Sequence, residues 1–483
     1  MEKISHALTR LMLAIFGLLL AAAVFFGTIG NLQHKSYIVS LAAAVVVTLV
    51  LLRLNRGWSP EPWLERLGPA KLALILAGLS LAVNLIWALT HFVIPDGDYV
   101  TFWITACAQA KHEALENHIY VGLFPHIMGY ASFLGLFLRL LGCHLSVAVG
   151  VNIALTVISD LLIFALCLRW GGIREAFLGG LLWAICPSAV MFNTMVLSEP
   201  FYTCLLLGYL FLVSGLEKGA AQGKRALWRW VLGGALGGLL LWGVNIARPI
   251  AAVFLIATGI WILFLRGKDL RDGGSWARWA AFFALVLLVY IPMGKMWNGY
   301  LTQRLDEPPP PIPGYNIYVG FNPETGGSYD TKDMALLGEY RMQTGSAVEA
   351  QRLMLQEAKD RIQSGKINFA KLFASKLRIF LGNDEAGAYY TQALIPELYF
   401  WLWSALSNVF YYSAAMLSLL CAWRLGRRKE HRLLLLVPLY VIGLTLAQML
   451  VEVADRYHYS IIPMLVILAA CAFGKIKEEE HEA

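Results

Sequence analysis

The chain has 483 residues, of which 58% are hydrophobic and 15% charged. A soluble domain carries about 45–50% apolar and about 25% charged residues, so this composition, with a mean hydropathy of +0.61, is that of a polytopic membrane protein. It excludes a cytosolic enzyme, a disordered scaffold and a nucleic-acid binder. The net charge of +7 matters less than its placement, because loop Lys and Arg report topology.

In chain order, residues 1–10 are basic and Leu11–Ile29 is about membrane length, with no small-residue cleavage site behind it. That reads as a retained first helix. Apolar stretches near the ~20 residues a bilayer requires fall at 11–30, 37–52, 71–93, 144–168, 174–194, 200–216, 229–246, 249–265, 277–298, 397–423, 432–450 and 457–474. Basic residues gather after alternate stretches. Arg53, Arg56, Arg66 and Lys71 come first, then Arg169 and Arg174, then Lys218, Lys224, Arg225 and Arg229. Arg266, Lys268, Arg271 and Arg278 follow, then Arg424, Arg427, Arg428, Lys429 and Arg432, and last Lys475 and Lys477. The positive-inside rule places these in the cytoplasm. Residues 94–118 and 142–143 are then both outside, so the further apolar run Leu123–Leu141 has not crossed and reads as a juxtamembrane or re-entrant hairpin.

The expected fold is therefore all-α and polytopic, with twelve crossings, or thirteen if one basic cluster misleads, and both termini cytoplasmic. Residues 1–298 form a transmembrane module including the outer loop 94–143, residues 299–395 an extracytoplasmic loop domain, and residues 396–483 the C-terminal spans and tail. The loop domain opens with Pro308–Pro311 and a turn-rich stretch, NIYVGFNPETGGSYD. Two amphipathic helices then follow, SAVEAQRLMLQEAKDRIQSG and NFAKLFASKLRIFLG. The second sets Phe369, Leu372, Phe373, Leu377 and Phe380 on one face and Lys371, Lys376 and Arg378 elsewhere, as in a helix lying in the membrane interface. The seven Cys show no CxxC or Cys/His ligand spacing, and Cys143, Cys167, Cys186, Cys204, Cys421 and Cys471 lie in or beside apolar runs. Neither a disulfide framework nor a zinc site is supported.

The informative ionisable groups crowd short outer turns. Asp96-Gly97-Asp98 follows the third span. It is ordinary turn chemistry, or a carboxylate placed to take a proton from a hydroxyl beside the lipid phase. Arg248-Pro249 is a snorkelling helix end, or a fork for a lipid-linked phosphate. Ser198-Glu199-Pro200 is a helix cap or a second acidic turn. Glu452 and Arg456 are an i,i+4 ion pair, or substrate contacts. His126, Lys111 and His112 lie in the first outer loop, where a lone polar side chain is usually just satisfied by its neighbours. Asp160 lies within a span, toward the cytoplasmic half, and reads as packing glue between helices.

The order of these motifs resembles the GT-C class of integral-membrane glycosyltransferases, in particular bacterial family 39-like enzymes related to protein mannosyltransferases and to aminoarabinose transferases of lipid A. It is carried by PDGDYVTFWITACAQA, Phe124-Pro125, Leu197-Ser198-Glu199-Pro200, Arg248-Pro249, GFNPETGGSYD and Glu452 to Tyr457, across most of residues 70–470. The resemblance implies transfer of a sugar from a polyprenyl-phosphate donor to a glycan, lipid or protein acceptor on the outer face of a bacterial cell membrane. It implies Asp98 as catalytic base, Arg248 on the donor phosphate, and Asp96, His126, Glu199, Glu452 and Arg456 as substrate contacts. Asp96, Asp98 and Glu199 are candidate ligands for one divalent cation. His126 and Glu199 depart from the residues common in the family, which leaves sugar and acceptor open. The alternative from a different class is a flippase or transporter of lipid-linked sugars, which calls for inverted repeats and broken midplane helices; no repeat is evident. A non-catalytic membrane-assembly protein is a third reading, in which the ordered charged turns are coincidence.

Overall fold

The computed structural model describes residues 2–30, 35–57, 60–91, 93–221, 227–266, 272–391, 396–427 and 433–474. Of the basic residues used for topology, Lys224, Arg225, Lys268, Arg271, Arg428, Lys429, Arg432, Lys475 and Lys477 lie outside them, as do the side chains of Arg56 and Lys218. The described residues are all-helical, without a strand.

Three long helices come first, α1 (Glu2–Gly30), α2 (Lys35–Gly57) and α3 (Glu61–Thr90). Gly68, at a φ of 75°, breaks α3 just before Pro69 starts its apolar part. Next come α4 (Asp98–Lys111), α5 (His118–Leu123) and α6 (Ile127–Leu141). The 15 residues of α6 reach about 22 Å at ~1.5 Å per residue, less than the ~30 Å hydrocarbon core. It packs along α4 instead, Gly135 facing the Ala106 carbonyl. Leu123–Leu141 thus holds one short helix paired with α4, where a juxtamembrane or re-entrant hairpin was expected.

α7 (Leu145–Trp170) is followed by α8 (Ile173–Ala184) and α9 (Pro187–Phe192), then α10 (Glu199–Ala221), α11 (Leu227–Ala247), α12 (Ala251–Ile260) and α13 (Gly273–Leu305). On α11, Gly234 and Gly238 let the backbone close on α13. A Cβ on Gly238 would lie 2.7 Å from the Val286 carbonyl oxygen. Small residues four apart are how helices meet in lipid, where apolar surface alone drives nothing. α13 runs without a break past residue 298 to Leu305.

Beyond it lie α14 (Gly314–Gly320), α15 (Thr331–Thr344), α16 (Ala347–Gln363), α17 (Phe369–Leu381) and α18 (Ala386–Thr391), and the chain closes with α19 (Glu397–Arg427), α20 (Leu436–Leu450) and α21 (Ile462–Cys471). Both amphipathic helices exist, as α16 and α17, each capped by a side chain: Ser346 accepts from Glu349 N and Asn368 from Lys371 N. α15 was not foreseen; its polar sequence carries little apolar periodicity, though Asp330 caps it. The interface reading of α17 needs correction. Leu372, Leu377 and Phe380 are buried, the helix packs on α1 and α20, and Lys376 is wholly enclosed.

Among the described residues nine helices are long and apolar enough to cross a bilayer: α1, α2, α3, α7, α10, α11, α13, α19 and α20. The other three expected spans are built from shorter pieces. Pro187 divides 174–194, 249–265 ends in one wide π-helical turn, and 457–474 begins as a tight 3₁₀ segment. Leu18, Leu74, Leu89 and Leu288 point outward from their helices, which only a lipid surround makes favourable. This is a multi-pass membrane protein.

Candidate functional site

The connections at one end of the bundle enclose a cavity of about 2000 Å³. Asp96, Asp98, His126, Glu199, Arg248, Glu452 and Arg456 all line it. Lys111 and His112 do not. Lys111 faces Glu113 at 3.9 Å on the surface, and His112 meets Arg139 at 2.7 Å.

Gly97 takes a φ of 55°, a conformation that favours glycine, and its amide donates to Asp96 Oδ1 at 2.8 Å. That turn starts α4 at Asp98, so the carboxylate sits in a helix's first turn, where the dipole favours negative charge. Asp98 pairs with Arg456. Burial alone would raise the Asp98 carboxyl, but the Arg456 charge and hydrogen bond, with Arg248 behind them, hold it below the usual carboxylate value. It is therefore ionised at neutral pH.

Glu199 opens α10 and is 1% exposed. Among the described residues neither of its carboxylate oxygens has a hydrogen-bond partner, and it faces Arg248, whose Nη1 lies 3.9 Å away. Arg248 follows the last residue of α11 and stacks its guanidinium 4.0 Å over the Tyr457 ring. Arg456 lies between Tyr390 and Tyr457, 5.8 and 5.6 Å from their centroids. Two guanidinium groups are thus held by aromatic faces and carboxylates, with donors left over.

His126 precedes α6. Desolvation first, and then the Arg248 charge, lower its ring to about 3, so it faces the cavity as a neutral imidazole. The expected i,i+4 pair of Glu452 and Arg456 does not form, because residues 451–454 are not helical. Glu452 instead accepts from Asn316 Nδ2 at 3.2 Å, while its amide donates to the Asn316 carbonyl at 2.7 Å. Burial raises the Glu452 carboxyl.

Tyr120, Tyr315, Asn316, Gln351, Tyr389 and Tyr390 also line the cavity. Sequence reasoning passed over them, since an aromatic pair such as Tyr389-Tyr390 beside an acidic turn is a weak signal. Asp160 lies elsewhere, buried between helices, and among the described residues neither of its oxygens has a hydrogen-bond partner, contrary to the reading of it as glue.

Asp96, Asp98 and Glu199 do not fit a divalent cation. Among the described residues no three His, Cys, Asp or Glu side chains converge as ligands. Asp98 is engaged by Arg456, Asp96 by its own turn, and Glu199 faces Arg248.

No protein-family model and no curated protein matches the sequence. Among solved structures the chain is similar to the archaeal oligosaccharyltransferase AglB from Archaeoglobus fulgidus, in complex with an inhibitory peptide and a dolichol-phosphate. The two are 12% identical with a TM-score of 0.50, over 85% of this chain and 50% of that one. The chain has a GT-C fold. It spans about half the length of that archaeal protein. A second similarity is to ArnT from Cupriavidus metallidurans bound to undecaprenyl phosphate, at 11% identity and a TM-score of 0.35, over 83% of this chain and 77% of that one. The seven residues meet in this one cavity, on turns between helices that are far apart in the sequence.

Proposed function

We propose that the chain is a glycosyltransferase that moves a sugar from a polyprenyl-phosphate donor to an acceptor on the outer face of a bacterial cell membrane. The observation that carries this reading is one cavity holding an ionised carboxylate, Asp98, together with two guanidinium groups, Arg248 and Arg456. The solved neighbours were captured with dolichol-phosphate and undecaprenyl phosphate.

The reaction is one displacement. The acceptor oxygen forms a bond to the anomeric carbon and the bond from that carbon to the phosphate oxygen breaks. The acceptor proton passes to Asp98, and the electron pair leaves with polyprenyl phosphate, so the anomeric centre inverts. Arg248 offers its fork to the departing phosphate, and Arg456 keeps Asp98 charged until the acceptor hydroxyl arrives. Asp96, His126, Glu199 and Glu452 supply hydrogen bonds to sugar and acceptor.

The test is reconstitution in lipid nanodiscs with polyprenyl-phosphate sugars and a panel of glycan, lipid and peptide acceptors, reading release of polyprenyl phosphate. Transfer from at least one donor is expected. Binding of the lipid with no transfer, but with movement of the donor between leaflets in vesicles, would favour a flippase instead. Impermeant thiol labelling of a single Cys at Ser328 in intact cells tests the outward placement of 299–395; protection until lysis would reverse the topology.

A further inference from the structure

Gly320 and Gly327 bound the motif GFNPETGG, which the reaction above does not use. Both are close approaches of backbone. A Cβ on Gly320 would lie 2.5 Å from the Val451 carbonyl carbon. One on Gly327, at a φ of 85°, would lie 3.0 Å from both the Gly320 oxygen and Lys376 Cδ. The motif is therefore folded tightly against the end of α20 and over the stem of a lysine. Lys376 is 0% exposed. Its Nζ donates to three carbonyl oxygens, Gly320 at 2.9 Å, Met449 at 2.9 Å and Val451 at 2.6 Å. Two of these belong to the last turn of α20 and the segment just past it, where carbonyls lack intrahelical partners and a cation meets the negative end of the dipole. Two backbone bonds continue the seam, from Glu452 N to Asn316 O at 2.7 Å and from Val453 N to Gly327 O at 2.9 Å.

We propose that Lys376 is a positioning residue for the cavity: by donating to carbonyls from three points of the chain it fixes the turn that carries Glu452 and Arg456, and with it the pairing of Arg456 and Asp98. An ammonium has three N–H groups and all three are used. Burial lowers Lys376 to about 7, with Glu452 acting in the opposite direction. Glu452 is the charge that acts on it. Lys371 and Arg378 share its helix, and Asp455, Arg456 and His458 lie on the segment packed against that helix. The turn 320–327 adds Glu324, α20 adds Tyr440, and α1, which meets α17 at Gly27 and Gly30, keeps its charged residues at its other end. Water restores the ordinary lysine value when the turn opens, so above the lowered value opening takes up a proton, and the closed turn gains stability as pH rises through it.

Deuterium uptake in nanodiscs tests this without any substrate, so it is independent of the transfer reading. After correction for intrinsic exchange, the wild-type amides of Glu452 and Val453 should gain protection by about tenfold between pH 6 and 8.5, because opening the turn returns Lys376 to water and takes up a proton. The amide of Arg248, bonded within α11 to Val244, should not change. Lys376→Met should show weakened protection with no pH dependence, and Lys376→Arg, charged throughout, should also lose the pH dependence. In the activity assay, Lys376→Met should be slow across that range. Unchanged protection at 452–453 in folded Lys376→Met, or a wild-type series with no pH dependence, would overturn the proposal. If neither variant folds, the wild-type series decides alone. Absence of any transfer in wild type would overturn the enzyme reading and leave the exchange result standing.

Discussion

Arg456 and His458 are two residues apart on one turn and enter two different polar clusters. Arg456 faces the cavity, pairing with an Asp98 whose side chain is 40% exposed, near a Glu199 with no hydrogen-bond donor. His458, 1% exposed, lies 3.4 Å from Asp384 Oδ1. Asp384 also accepts from Ser188 at 3.0 Å and Ser407 at 2.8 Å, and its amide donates to Asn408 at 2.8 Å. Tyr411 and Tyr412 close the same loop by donating to the Leu381 and Gly382 carbonyls. In the second cluster the carboxylate is engaged inside the protein, which rigidifies the loop. In the first, acceptors and guanidinium donors are left over and a large space adjoins them. Unspent hydrogen-bonding capacity beside a cavity, more than charge itself, separates a working polar cluster from a structural one.

That contrast is sharpest at Asp98. Asp98→Asn keeps the size and much of the hydrogen bonding but cannot take a proton, and turnover should fall by about 10²–10⁴, with polyprenyl-phosphate binding and unfolding midpoint close to wild type. Near-normal single-turnover rates would move the base elsewhere. Arg248→Ala should weaken polyprenyl-phosphate binding by roughly 1–3 kcal/mol, and Arg248→Lys by less, because the charge survives and the fork does not; equal affinity in all three, by native mass spectrometry, would reduce Arg248 to a snorkelling end. Asp384→Ala should show the reverse signature. It strands the Ser188 and Ser407 hydroxyls and should cost about 1–3 kcal/mol of stability, read by denaturant unfolding, while the folded fraction turns over at nearly the wild-type rate. The smallest effect is expected on the acid side. Asp98 is depressed and His126 is neutral above about 3, so kcat/KM should be flat from pH 5 to 6.5 and Asp96→Asn should leave it so. A rising limb there would assign the base to a group with an ordinary or raised value, such as Glu452.

The spans were legible because lipid imposes length and apolarity on every helix that crosses it. The three that broke up did so at Pro187, at the π-helical turn after Ile260 and at the tight segment from Asp455, where local backbone chemistry is silent in a hydropathy window. The charged turns were legible one at a time. Their pairing was not: Asp98 and Arg456 are 358 positions apart, and an i,i+4 spacing suggested Glu452 for Arg456 instead. Lys376 was misplaced for a related reason. On a helical wheel it falls among solvated cations, and only the folded motif around Gly320 and Gly327 shows that backbone carbonyls, not water, receive it.

The 33 residues of α13 make a rod of about 50 Å at ~1.5 Å per residue, well beyond the ~30 Å of hydrocarbon. Its far end grips α4: Gln109 donates to Tyr300 at 2.7 Å and accepts from Arg304 at 3.0 Å, and Arg304 also reaches the Glu113 carbonyl. The helix so gripped is the one that begins at Asp98. A helix accommodates a thinner or thicker bilayer by tilting, and any tilt of this rod is delivered to α4 as a displacement at its tip. Acyl-chain length in the surrounding lipid is in this way mechanically connected to where the carboxylate stands.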